Sequence, residues 1–234
     1  MNRTIHVLLS VAVILIVTGT TACRKGEEQT AQTAQENVNA GPQVRFTLMP
    51  KEQTGVLFTN SLKEDYIYNI LSYWSLYNGN GVAIGDVNND TWPDFYVTSS
   101  FGPNRLYINL GNFQFLDATR MAGVPAPEGY KSGVSMADVN GDGLLDIYVC
   151  RTGRAEDKNK TNHLFINKGN QSYKGIPIPV FEDKAVEMGL DDNSTSNYAC
   201  FFDMDKDGDL DLFLLNHRID FPDAAKIRLS QAPD

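Results

Sequence analysis

Positive charge, histidine and cysteine are all sparse in this chain. Its 20 Lys and Arg stand against 29 Asp and Glu, a formal net charge of -9 in 234 residues. The basic residues form no cluster, and without one a chain cannot neutralise a run of phosphates, so nucleic acid is excluded as a partner. His163 and His217 are isolated, with neither metal-ligand spacing nor a nucleophile beside them, which removes the usual general base. Apart from Cys23 there are only Cys150 and Cys200. Each sits in an apolar, strand-like run where a free buried thiol is expected, although an exported location would permit the two to pair. A dinucleotide site is also lacking: Gly79-Asn-Gly-Val-Ala-Ile-Gly85 runs into an acidic loop, with no helix behind it to receive a pyrophosphate.

No apolar run of bilayer-spanning length precedes the body of the chain. Arg3 followed by Val7 to Val17 has the form of an export signal, positive and then apolar but too short to cross a membrane. Thr20-Thr21-Ala22-Cys23 resembles a bacterial lipobox, with Thr20 where that pattern usually has Leu, and the resemblance implies lipid attachment at Cys23. Arg24 to Gln43 is rich in Gln, Ala, Thr, Glu and Asn without apolar periodicity, as a flexible tether is. The expected organisation is therefore a lipoprotein-type signal peptide over 1–23, a linker over 24–43 and a folded region over 44–234, exported and held at the outer membrane or cell surface.

What the chain does contain is a repeat. Gly81 to Val97, Gly133 to Val149 and Tyr198 to Leu214 each run from an apolar segment through an acidic loop into a second apolar segment. The loops start at Asp86, Asp138 and Asp203, 52 and then 65 residues apart, close to the period of a propeller blade. Between them Asn104-Arg-Leu-Tyr-Ile-Asn is echoed by Asn162-His-Leu-Phe-Ile-Asn, and Phe115-Leu-Asp by Phe181-Glu-Asp. The runs are short, β-branched or aromatic, and bounded by Gly, Asn and Pro. Four such strands per unit predict an all-β fold, a partial β-propeller of four-stranded blades. Val56 to Asn60 is expected to be an orphan last strand, because Phe58 precedes the first loop as Phe115 and Phe181 precede the next two. Phe221 to Asp234 carries no clear third or fourth strand, so the chain is expected to be the N-terminal part of a larger ring.

Each loop places side-chain oxygens at positions 1, 3, 5 and 9: Asp86, Asn88, Asp90 and Asp94; Asp138, Asn140, Asp142 and Asp146; Asp203, Asp205, Asp207 and Asp211. Calcium takes six to eight oxygens, and alternate side chains in a tight loop can converge on it while the position 7 carbonyls of Trp92, Leu144 and Asp209 add another. Gly143 and Gly208 at position 6 permit the sharp turn, Thr91 less readily. An EF-hand would need Glu at position 12, where Val97, Val149 and Leu214 stand, so the ninth aspartate is expected to close the shell. Loop three, with Asp at all four places, is expected to bind most tightly. Asp and Asn also make ordinary hairpin turns, but turn chemistry alone does not ask for oxygens at the same places three times.

From about Val56 to His217 the chain resembles the FG-GAP or VCBS-type repeat proteins, whose calcium loops occur in integrin-type propellers, and more closely the bacterial relatives of cartilage acidic protein. The resemblance implies a seven-bladed, exported protein with structural Ca2+, used for adhesion or for binding a protein or glycan. The alternative is a propeller-based enzyme, or subunit of one, acting on polysaccharide. Against it, a carboxylate that holds calcium is not available as a proton donor. Tyr66, Tyr68, Tyr73, Trp74 and Tyr77 are expected to pack within or between blades in preference to forming a sugar-stacking face.

Overall fold

The computed structural model describes residues 46–217, apart from 63, 74, 127, 128, 155, 156, 158 and 159. The expected signal peptide, Cys23, the linker and Trp74 fall outside the described residues. The chain divides into Met1–Thr47 and Leu48–Asp234, and the second unit carries the architecture.

After a single turn of helix, α1 (Lys51–Thr54), come two four-stranded antiparallel sheets and a hairpin. The first sheet is β1 (Val82–Gly85), β2 (Asp94–Val97), β3 (Arg105–Asn109) and β4 (Phe115–Asp117), in that spatial order. A second one-turn helix, α2 (Thr119–Ala122), leads to β5 (Tyr130–Ala137), β6 (Asp146–Thr152), β7 (His163–Tyr173) and β8 (Ile176–Asp183). β9 (Ser196–Phe202) and β10 (Asp211–Asn216) form the hairpin. The expected four-stranded units are therefore present twice, with the first two strands of a third.

The sheets stack face to face, and strand alternation dictates how. Successive side chains of β6 point to opposite faces: Ile147 and Val149 join a buried cluster with Tyr96, Leu106 and Ile108 of the first sheet, while Tyr148 and Cys150 join one with Ala199 and, partly buried, Phe201 and Leu212 of the hairpin. No sheet has a core of its own; each covers its neighbour, and every fully buried Ile or Val adds about 1.5–3 kcal/mol. The first strands of successive sheets lie side by side, with β1 against β5 and β5 against β9. Glycine makes this approach possible. A Cβ at Gly81 would lie 2.7 Å from the Val134 nitrogen, and one at Gly133 would lie 2.3 Å from the Asn197 oxygen. The Gly81 N–H instead donates to Ser132 O (2.8 Å), and the Ser132 hydroxyl to Ser196 O (2.6 Å).

A second repeated device links the sheets at their outer side. α1 ends at Gly55 (φ 73) and α2 at Gly123 (φ 80), and a Cβ on these residues would sit 2.7 Å from Phe115 O and 3.3 Å from Phe181 O, the same point on the next sheet's fourth strand. Tyr96 donates its hydroxyl to Val124 O just beyond the second of these turns (2.7 Å) and accepts from Asn104; Tyr148, Leu190 and Asn162 repeat the arrangement. This corrects the reading of Val56 to Asn60: the segment is not a strand. Gly55 aligns with Gly123, so Val56 stands where Val124 begins the connection between the first two sheets, just past a left-handed glycine turn. Cys200 is corrected as well. Both cysteines are free, and Cys150 is buried, but Cys200 is exposed. On β9 it alternates with buried Ala199 and so faces the opening between β1, β5 and β9.

Candidate metal loops

All three acidic loops fall at the same place, the hairpin from a sheet's first strand to its second. Positions 4 and 6 are left-handed in each: Asn89 (φ 56) and Thr91 (φ 76), Gly141 (φ 71) and Gly143 (φ 83), Lys206 (φ 67) and Gly208 (φ 97). Thr91 therefore holds a backbone conformation that a β-branched residue adopts only under strain.

The side chains repeat as faithfully as the backbone. The position 1 carboxylate accepts from the N–H of position 6 in every loop: Thr91 to Asp86 (2.7 Å), Gly143 to Asp138 (2.8 Å) and Gly208 to Asp203 (3.2 Å). The position 5 carboxylate accepts from the N–H of position 7: Trp92 to Asp90 (2.9 Å), Leu144 to Asp142 (2.9 Å) and Asp209 to Asp207 (3.1 Å). Trp92, Leu144 and Asp209, expected to offer carbonyls, also engage the loop through their N–H groups. At position 3, Asn88 and Asn140 bridge to Asp90 and Asp142 through their amides (2.9 Å each).

The ninth aspartate separates the loops. Asp94 and Asp146 are completely buried. Asp94 accepts from Val87 N (3.1 Å) and, across the sheet, Asn109 N (2.8 Å); Asp146 accepts from Val139 N (2.9 Å) and Asn167 N (2.8 Å). Burial raises both carboxyls, Asp94 to about 7, against the lowering by those N–H donors. Asp211 accepts from Met204 N (2.8 Å) and is half-exposed. Among the described residues Asp203, Asp205 and Asp211 form the one group of three carboxylates whose oxygens all lie within 4.8 Å of one another. Asp207 and Asp209 pair with each other instead, lowering the first and raising the second. The donors are carboxylate and amide oxygens throughout, a set that suits a hard cation.

Some contributors were not singled out from the sequence. Asn109 ends β3 and Asn167 holds the equivalent place within β7, and their side-chain amides hold Pro93 O (2.9 Å) and Leu145 O (3.2 Å), the carbonyls just before each ninth aspartate. The shared Tyr-Ile-Asn and Phe-Ile-Asn endings were the available signal. The β7–β8 hairpin extends past this point, turning at Lys174 (φ 52) and Gly175 (φ 82), and reaches loop one of the preceding sheet. There Asn88 donates to Pro177 O (3.0 Å) and Asn170 to Asn88 O (2.8 Å), leaving Asn88 2% exposed. Of the aromatic group, Tyr73 is buried, while Tyr66 and Tyr77 face solvent.

These stacked four-stranded sheets, with an acidic hairpin at the same point in each, define a propeller-type repeat. Residues 86–149, which include the first two loops, match the family model described as FG-GAP-like repeat. Over 69 residues it is 39% identical to cartilage acidic protein 1 of Mus musculus and of Homo sapiens, and 36% identical to that of Xenopus tropicalis. The matched stretch is 30% of this chain and 10–11% of those proteins, so the similarity spans about a tenth of the relatives' length.

Proposed function

We propose that the protein is a calcium-stabilised binding scaffold, exported and lipid-anchored through Cys23, whose sheets present loops to a protein or glycan. FG-GAP-like repeats are typically extracellular adhesion or binding modules, which supports a non-enzymatic role. The observation that carries the metal reading is the carboxylate triad of Asp203, Asp205 and Asp211 in a loop whose spacing recurs twice more. Bound Ca2+ would draw oxygens from one loop together and cancel their mutual repulsion. In loops one and two the partners would be Asp86, Asn88 and Asp90 and their counterparts Asp138, Asn140 and Asp142, with the buried Asp94 and Asp146 acting chiefly as struts. Loop three, with the triad and Asp207 beside it, is the tightest site in this reading.

Thermal melting of the full chain in calcium and in chelator tests it. Calcium at a hundred times its Kd stabilises by about 2.7 kcal/mol per site, a rise of several degrees. Asp205→Ala is expected to remove more of that rise than Asp90→Ala. Identical melting in calcium and in chelator would sink the proposal.

A further inference from the structure

In a chain of net charge -9, the cavity of about 490 Å³ beside α2 is lined by two guanidinium groups, Arg105 and Arg120, against one carboxylate, Asp117. Arg105, on β3, reaches Asp117 on β4 with its Nε 3.2 Å from the carboxylate. Arg120 is exposed and makes no ion pair among the described residues. The guanidinium at this place is particular to the first sheet, since the equivalent pair in the second is His163 with Asp183 (2.6 Å). A second cavity, of about 290 Å³, shares Pro103 and Arg105 with the first and is bordered by Thr59, Ser61 and Ser99. The two cavities adjoin at Pro103 and Arg105, with guanidinium groups lining one and the exposed hydroxyls of Thr59 and Ser61 the other, while Ser99 is buried and accepts from Gly102 N (3.1 Å).

We propose that this groove binds an acidic oligosaccharide of the uronic acid type. Arg105 is held by Asp117 and by Asn104 O (3.1 Å), which leaves the Arg120 guanidinium to match a carboxylate in two-pronged geometry, while hydroxyls that both donate and accept match the hydroxyls of a sugar ring. The larger lobe falls within the 300–1,000 Å³ usual for small-ligand sites. A peptide laid on as an added strand is disfavoured, because the outer edge of β4 is already met by Gly55, whose Cβ position lies 2.7 Å from Phe115 O. The inference rests on the binding-scaffold reading and names the ligand class, but it does not depend on the metal.

Isothermal titration of the full chain with trigalacturonate, at low and high NaCl, tests it. Binding is expected to weaken with salt, and Arg120→Ala to weaken it about tenfold or more at an unchanged melting temperature. Arg120→Lys, which keeps the charge but loses the fork, is expected to fall between. No binding by the unaltered chain, equal affinity in Arg120→Ala, or equal affinity for triglutamate would overturn the proposal. Calcium-independent melting with binding to trigalacturonate intact would overturn the metal reading alone. Calcium-dependent melting without trigalacturonate binding would overturn this inference alone.

Discussion

In loop two Asp146 is buried and holds the N–H groups of Val139 and Asn167, tying the loop to the third strand of its own sheet. In loop three Asp211 stands at the same position, is half-exposed and holds Met204 N (2.8 Å), and its oxygen lies near those of Asp203 and Asp205. One nine-residue pattern thus stands in two surroundings among the described residues. In loop two the third strand packs behind the loop and the last carboxylate is a strut of the sheet; in loop three, among the described residues, it lies beside the carboxylates of Asp203 and Asp205.

The largest effect expected from this contrast is at the strut. In chelator, Asp146→Ala should destabilise by about 3 kcal/mol, since two N–H groups lose their acceptor at about 1–3 kcal/mol each. Asp211→Ala under the same conditions should leave the urea midpoint nearly unchanged. Equal losses in the two variants would erase the distinction between the loops.

Next comes the seam between the second sheet and the hairpin. Gly133→Ala would force a Cβ to 2.3 Å from a backbone oxygen that no rotamer can move, and about 2–3 kcal/mol of stability should be lost. Gly143→Ala, where nothing lies within 4 Å, meets only the strain of its positive φ, about 1 kcal/mol. Paired denaturation curves check the ranking, and a larger loss at Gly143 would reverse it.

The smallest effect has the opposite sign. Thr91 has the conformation that Gly143 and Gly208 hold at the same position, so Thr91→Gly should stabilise by about 1 kcal/mol. A lowered melting temperature in that variant would show that the Thr91 side chain contributes more than its strain costs.

The four-strand unit and the placing of each acidic loop in a hairpin were legible because strand alternation and turn residues are local properties. What escaped was settled between sheets. Nothing near Asp94 says that its side chain will be buried against Asn109, because that depends on the third strand of the same sheet closing over it. The extension of β7 and β8 was hidden because the hairpin it forms packs on loop one of another sheet, and its polar residues looked like connecting loop. Val56 to Asn60 was misassigned because Phe58 matched a spacing, while the Gly55 turn that fixes the register takes its meaning from the strand it touches. Cys200 has the same hydrophobic neighbours in sequence as Cys150, but only the stacking decides which side of a strand meets another sheet.

The seating of Gly123 on Phe181 means that the tail of the first sheet shingles over the second, and the segment ahead of the first sheet laps it in the same way through Gly55 on Phe115. Loosening any sheet then lifts the overlap that protects the next, so damage should spread along the row in one direction and melting should be shared between neighbours.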